Sequence, residues 1–157
     1  MSWNETLTAL MPLYGHRNWI VVADSAYPAQ SSPGVQTIVA GADQEEVLRS
    51  VFRSLGASKH VMPNVYIDME LEFVPEVDAP GVSDYRAQLK HLLQGQLVSA
   101  LPHEEIIRML DQAGQTFHVL IIKTNMTIPY TSVFLQLGCA YWNAEAEQRL
   151  RDAMKRH

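Results

Sequence analysis

Hydrophobic residues along the chain come in two kinds of block, continuous and periodic. Trp19-Ile20-Val21-Val22-Ala23 and Val119-Leu120-Ile121-Ile122 are unbroken apolar runs, the pattern of a strand covered on both faces. The second run extends back to Phe117, and Val35–Val39 and Val133-Phe134-Leu135 read as further strands. Between them apolar positions recur at helical spacing. Leu7, Leu10 and Met11 mark a short helix over Asn4–Tyr14, shortened by Pro12 and stopped by Gly15. Val47, Leu48, Val51, Phe52 and Leu55 follow Asp43-Gln44-Glu45-Glu46, a capping-box sequence, and Gly56 ends that helix. Ser83 opens a helix to about Gln94, with Tyr85, Leu89, Leu92 and Leu93 on one face. Pro102 suits a first helical turn, and Ile106, Ile107, Leu110 and Ala113 then face the core. Asn143 caps a last helix to about Arg156 with a thin stripe of Leu150 and Met154. Val61–Leu71 reads as an extended segment broken by Pro63, and Tyr27–Gly34 as a loop.

Strands alternating with helices predict an α/β fold: a single domain with a largely parallel sheet flanked by helices. Such sheets bind ligands outside the carboxyl ends of their strands. Attention therefore goes to the loops after Ala23 and Ile122 and to the helix entry around His103. The length of 157 residues agrees with one domain at about 150 residues each. A content of 47% hydrophobic and 18% charged residues favours a compact fold over disorder.

The formal net charge of −5 argues against nucleic acid or an anionic membrane as partner, since both need a basic footprint. No apolar run approaches the ~20 residues of a membrane helix. The first residues carry no basic leader, so a cytoplasmic location is expected. One cysteine, Cys139, excludes an internal disulfide framework and reads as a small core residue. Glycine-rich phosphate loops, nucleophile elbows and paired-histidine zinc motifs are missing, and the six histidines are scattered. No metal or cofactor is expected.

Individual residues leave alternatives open. His16, at a helix-to-strand corner, suits either a helix C-terminus or proton transfer. Asp24, ending the first buried strand, either makes a turn with Ser25 or accepts hydrogen bonds from ligand hydroxyls. His103 is either a solvated first-turn residue or a ligand contact. Tyr130 reads as an interface or core residue, and Tyr27, Tyr141 and Trp142 either pack or stack on a sugar ring.

Taken in order, these positions resemble a known family. Gly15-His16 leading into Trp19–Ala23 and Asp24-Ser25-Ala26-Tyr27-Pro28 is similar to the N-terminal signature of the D-ribose pyranase / L-fucose mutarotase family. His103-Glu104-Glu105 resembles the family's substrate-binding helix start. Val119–Ile122, a loop and Tyr130-Thr131-Ser132 through Gly138 resemble its closing strand and Tyr-x-Asn motif. The likeness is clearest over residues 7–30 and 117–138.

The resemblance implies an isomerase that interconverts anomers or ring forms of a reducing monosaccharide by general acid/base ring opening. Under it His16 is the acid/base, Asp24 orients the sugar, His103 binds another hydroxyl, and Tyr130 with Ser132 completes the pocket. It also implies a ring-shaped homo-oligomer, a pentamer or decamer, with pockets near subunit contacts. Ser132 stands where the family has Asn, and its single hydroxyl and shorter reach put one substrate contact in question. A non-catalytic monosaccharide-binding or sensing homologue is the alternative. The family-like domain spans residues 1–142, and residues 143–157 form a helical extension of it.

Overall fold

The computed structural model describes all residues 1–157. Six strands form one sheet: β1 (Trp19–Ala23), β2 (Val35–Val39), β3 (Val61–Asp68), β4 (Leu97–Leu101), β5 (Val119–Lys123) and β6 (Val133–Cys139), in the order β2-β5-β1-β6-β3-β4. Five strands run the same way. β6 alone is antiparallel, to β1 on one side and β3 on the other. The helices are α1 (Trp3–Leu10), α2 (Gln44–Ala57), α3 (Val82–Leu92), α4 (His103–Gly114) and α5 (Ala144–Lys155), with a 3-10 turn at Met69–Phe73.

The pleat explains the continuous apolar runs. Successive side chains point to opposite faces, so Ile20 and Val22 join the core under α1, α2 and α3. Trp19, Val21 and Ala23 join a second, smaller core under α4. β5 divides likewise, with Leu120 and Ile122 on the first side and Val119 and Ile121 on the second. A strand between two helical layers has no face left for polar residues.

Several local expectations are corrected. α1 ends at Leu10, where the Pro12 turn begins, and its N-terminus is capped by the Ser2 hydroxyl. Asp43 holds the N-cap position of α2, but its exposed side chain makes no capping bond, so the capping box is not formed. Pro102 precedes α4 as its N-cap rather than standing inside the first turn. The extended segment from Val61 stops as a strand at Asp68, and β6 runs four residues beyond Leu135. Pro63 is accommodated because β4 pairs with β3 only from Asn64 onward. Cys139, the last residue of β6, is a half-buried free thiol rather than a core residue.

β4 is an edge strand that no periodicity announced. Four of its five residues are exposed, so it carries neither a two-sided apolar run nor a clean alternation.

One close approach fixes how the loop before β2 meets α4. A Cβ on Gly34 would lie 2.7 Å from the Gly114 carbonyl oxygen and 2.9 Å from that of Phe117. Both are backbone atoms with little freedom to retreat. Gly34→Ala is therefore expected to destabilise the fold by about 1–3 kcal/mol, read as a lowered midpoint in urea with an unchanged slope.

Candidate functional site

Four segments end or begin at the carboxyl edge of the sheet: the exit of β1, the exit of β3, the entry of α4 and the entry of β6. They enclose a cavity of about 450 Å³, within the range of small-molecule sites. Asp24, His103, Tyr130 and Ser132 all line it. Tyr27 and Asp68 line it too.

Asp24 is the first residue past β1. Its backbone N–H donates to the Ser132 hydroxyl (3.2 Å), which in turn donates to Asp24 Oδ1 (2.8 Å). Ser132 is buried, at 3% exposure, and its hydroxyl is committed to Asp24. The Asp24 loop is also stitched to the loop after β5, through Ser25 N–H to the Met126 carbonyl (2.8 Å) and the Ser25 hydroxyl to the Thr124 carbonyl (2.9 Å).

His103 is the first residue of α4. Its backbone N–H, one of the donors a helix start leaves without an intrahelical partner, is received by both carboxylate oxygens of Glu70 at 2.9 and 3.1 Å. A residue from the 3-10 turn thus takes the capping part that Pro102 cannot. The ring is held separately. Nδ1 lies 2.9 Å from Asp68 Oδ1, with the Asp68 side chain 1% exposed and that of His103 29% exposed. An ionised Asp68 accepts Nδ1–H and leaves Nε2 as the imidazole's available lone pair. The ring also makes edge contacts with Tyr130 at 5.7 Å and Phe134 at 6.4 Å between centroids.

Burial pushes the Asp68 carboxyl above the usual carboxylate range, against the lowering effect of the His103 bond, with Glu70 and Asp24 adding to the rise. Its Oδ2 is buried without a hydrogen-bond partner. Tyr27 is likewise raised by burial first, then by the charges of Asp111, Asp68 and Asp24.

Tyr130 has a φ of 61°, a left-handed backbone that costs a non-glycine residue of order 1 kcal/mol or more. The next residue is what holds it. The Thr131 carbonyl accepts from the Tyr85 hydroxyl (2.7 Å) and Gln44 Nε2 (2.9 Å), while the Thr131 hydroxyl donates to the Ile128 carbonyl (2.7 Å). The Thr124 hydroxyl donates to Gln44 Oε1 at 2.7 Å. Gln44 is 3% exposed, so this buried amide ties both ends of the loop between β5 and β6 to the start of α2.

His16 is not in this cavity. It lies on an exposed turn before β1, whereas Asp24 follows β1, and the strand between them spans roughly 13 Å. The turn is pinned by Gly15 N–H to Asn18 Oδ1 (2.8 Å) and Arg17 N–H to the Leu137 carbonyl (2.8 Å). The contact with the carbonyls closing the α1 turn belongs to His60, whose Nε2 is 3.0 Å from the Met11 oxygen and 2.9 Å from that of Tyr14. Tyr141 and Trp142 also lie outside the cavity, and the Trp142 indole donates to Glu147. Sequence reasoning missed Asp68 and Glu70. Their one available signal was acidic residues at the end of an extended segment.

No three of the His, Cys, Asp and Glu side chains converge closely enough to hold a metal ion. No helix is long and apolar enough to cross a membrane.

Gln44→Leu removes the amide that serves Thr131 and Thr124. It is expected to cost about 1–3 kcal/mol for the unsatisfied partners. Amide exchange should accelerate first around residues 124–132.

Solved structures share this architecture. Bacillus subtilis RbsD, in a complex with D-ribose, aligns with a TM-score of 0.63 at 18% identity, over 87% of this chain and 93% of its own. The fucose mutarotase of Streptococcus pneumoniae, in a complex with L-fucose, aligns at 0.56 and 20% identity, over 88% and 96%. FucU from Bifidobacterium longum aligns at 0.57 and 18% identity, over 85% and 92%. A search of the curated proteins found no match. The model of the RbsD / FucU transport protein family matches residues 3–140, leaving α5 beyond it. With the match spanning the whole sheet and every element that encloses the cavity, the chain belongs to the RbsD / FucU transport protein family.

Proposed function

We propose that the protein is an isomerase that interconverts anomers or ring forms of a reducing monosaccharide at the Asp24–His103 cavity. The observation that carries this reading is the Asp68–His103 pair, a histidine oriented by a buried carboxylate and open to a monosaccharide-sized space. Ring opening requires a proton to leave the anomeric hydroxyl and another to reach the ring oxygen. It needs no cofactor and no covalent intermediate. Neutral His103, with Nδ1–H donated to Asp68, presents Nε2 to take the first proton; Asp24 orients the sugar through its hydroxyls. Tyr130, a residue 40% exposed, walls the opening.

Within one chain His103 is the histidine at the cavity, and His16 stands at the other end of β1. A catalytic role for His16 therefore belongs to a homo-oligomer, in which His16 of a second copy reaches the cavity and supplies the opposite proton. A pentameric or decameric ring, the assembly the family resemblance implies, would repeat that contact at every interface.

Saturation-transfer NMR with a panel of aldoses, ribose, fucose and galactose among them, tests the activity directly. Anomer exchange above the uncatalysed rate is expected with at least one sugar, and no exchange with any overturns the reading. His103→Gln should slow exchange by roughly 100-fold or more, the usual contribution of a positioned acid/base. Mixed oligomers test the shared site. His16→Ala and Asp24→Ala subunits should each be inactive alone, and co-assembly should restore about a quarter of the sites. No recovery in verified mixed oligomers removes His16 from the neighbour's cavity.

Asp68 carries a signed stability prediction. Its carboxyl is raised in the folded state, so the fold binds that proton more tightly than the unfolded chain does. The resulting cost to stability is absent below the ordinary Asp range, grows as pH rises through the folded value, and is complete above it. Asp68→Asn should therefore have a Tm at pH 7 no lower than that of the parent protein, while exchange falls about 10-fold or more.

A specific observation favours a second reading, a sugar-binding protein without catalysis. The Ser132 hydroxyl is spent on Asp24, leaving one fewer group for substrate than the family's Asn would offer. Saturable binding in calorimetry with no exchange in NMR would establish it, and exchange switched on by Ser132→Asn would explain it.

A further inference from the structure

The charge of the cavity is one-sided. Asp24, Asp68, Glu104 and Asp111 line it, and no lysine or arginine does. The two lysine- or arginine-based ion pairs of the protein, Arg49–Glu45 and Arg151–Glu147, lie elsewhere. Arg108, one helical turn from both Glu104 and Asp111 on α4, borders a neighbouring groove beside Asp111 and forms an ion pair with neither. His103 is the single group in the cavity that can become a cation.

Two acceptors have no protein partner. Asp24 uses Oδ1 for Ser132, and its Oδ2, on a half-buried residue, is left open to solvent or ligand. Asp68 uses Oδ1 for His103, and its Oδ2 is buried and unpartnered in a side chain 1% exposed. A buried carboxylate oxygen without a donor is costly; closed off from direct contact, it acts on a bound group through its charge, and a cation answers that field where neutral hydroxyls do not. Tyr27 registers the same field, since Asp111, Asp68 and Asp24 each oppose loss of its proton.

We propose that this cavity selects a monosaccharide bearing a free amino group over the corresponding neutral sugar, and rejects sugar phosphates and sugar acids. The inference rests on the cavity being the sugar site proposed above. It adds the sign of the charge that the site accepts. An ammonium group supplies three N–H donors and a positive charge to a cavity lined by four carboxylates. A phosphate or carboxylate there would face four carboxylates, with no lysine or arginine to receive it and the His103 imidazole as the one group able to offset them.

Matched probes test the proposal by calorimetry: glucosamine, glucose, N-acetylglucosamine and glucose 6-phosphate, with the galactose series in parallel. The amino sugar is expected to bind about tenfold tighter than its neutral parent at low salt, as an extra desolvated charge contact would give. Raising the salt to about 0.5 M should shrink the preference. N-acetylation removes the charge but keeps the bulk, so it should abolish the gain, and the phosphate should give no binding. The double variant Glu104→Gln, Asp111→Asn should lower the ratio of amino-sugar to neutral-sugar affinity. Neutral sugars that bind and exchange while the amino sugars bind no tighter would overturn the charge selection and leave the mutarotase reading standing. Absence of binding by every sugar would overturn both.

Discussion

The antiparallel placement of β6 between β1 and β3 is the constraint on which the cavity depends. In an all-parallel sheet each strand would enter from the far edge and bring only its exit to the carboxyl end. β6 runs the other way and is hydrogen-bonded on both sides. Its entry, carrying Tyr130, Thr131 and Ser132, therefore lies between the exits of β1 and β3, which carry Asp24 and Asp68. One reversed strand converts a row of loop tips into a floor with polar groups from three adjacent strands. The same reversal puts the exit of β6 beside the turn of His16, seen in the Leu137 bonds to Arg17 and Asn18.

Holding those groups still falls to buried polar contacts rather than to the apolar core. Gln44 reaches from α2 to the Thr131 carbonyl and receives Thr124, and Glu70 fixes the start of α4 from outside the helix. Each links segments that the apolar packing alone would leave free to slide. The left-handed backbone at Tyr130 persists because its neighbours are over-determined in this way. Asp68 is the opposite case. It is buried at a cost to folding, half satisfied by His103 and half unsatisfied.

Much of the architecture was legible in the chain. Runs such as Trp19–Ala23 and Val119–Ile122 can be buried on both faces only inside a layered α/β fold, and the helical periodicities between them located α2, α3 and α4. Where local signals failed, the competing effect is identifiable. Asp43 has capping chemistry, but its carboxylate stays in water and the neighbouring Gln44 makes the anchoring contacts. β4 lacked a pattern because an edge strand with both faces largely exposed is under little pressure to have one. Four candidate site residues, Asp24, His103, Tyr130 and Ser132, do meet at one cavity. Asp68 was missed because its significance comes from a contact 35 residues away along the chain.

By itself, then, the sequence determined the class of the fold, the buried strands, the family likeness and a net charge of −5. Those properties are sums or periodicities over neighbouring residues, and hydrophobic burial enforces them locally. Tertiary structure alone decided that β6 is reversed, that His103 is paired with Asp68, that Ser132 is spent on Asp24, and that His16 stands at the far end of β1. It also decided that four carboxylates share one cavity without a lysine or arginine. Hydrogen bonds and fields act over a few ångströms in space, and no spacing along the chain records which distant residues will come that close.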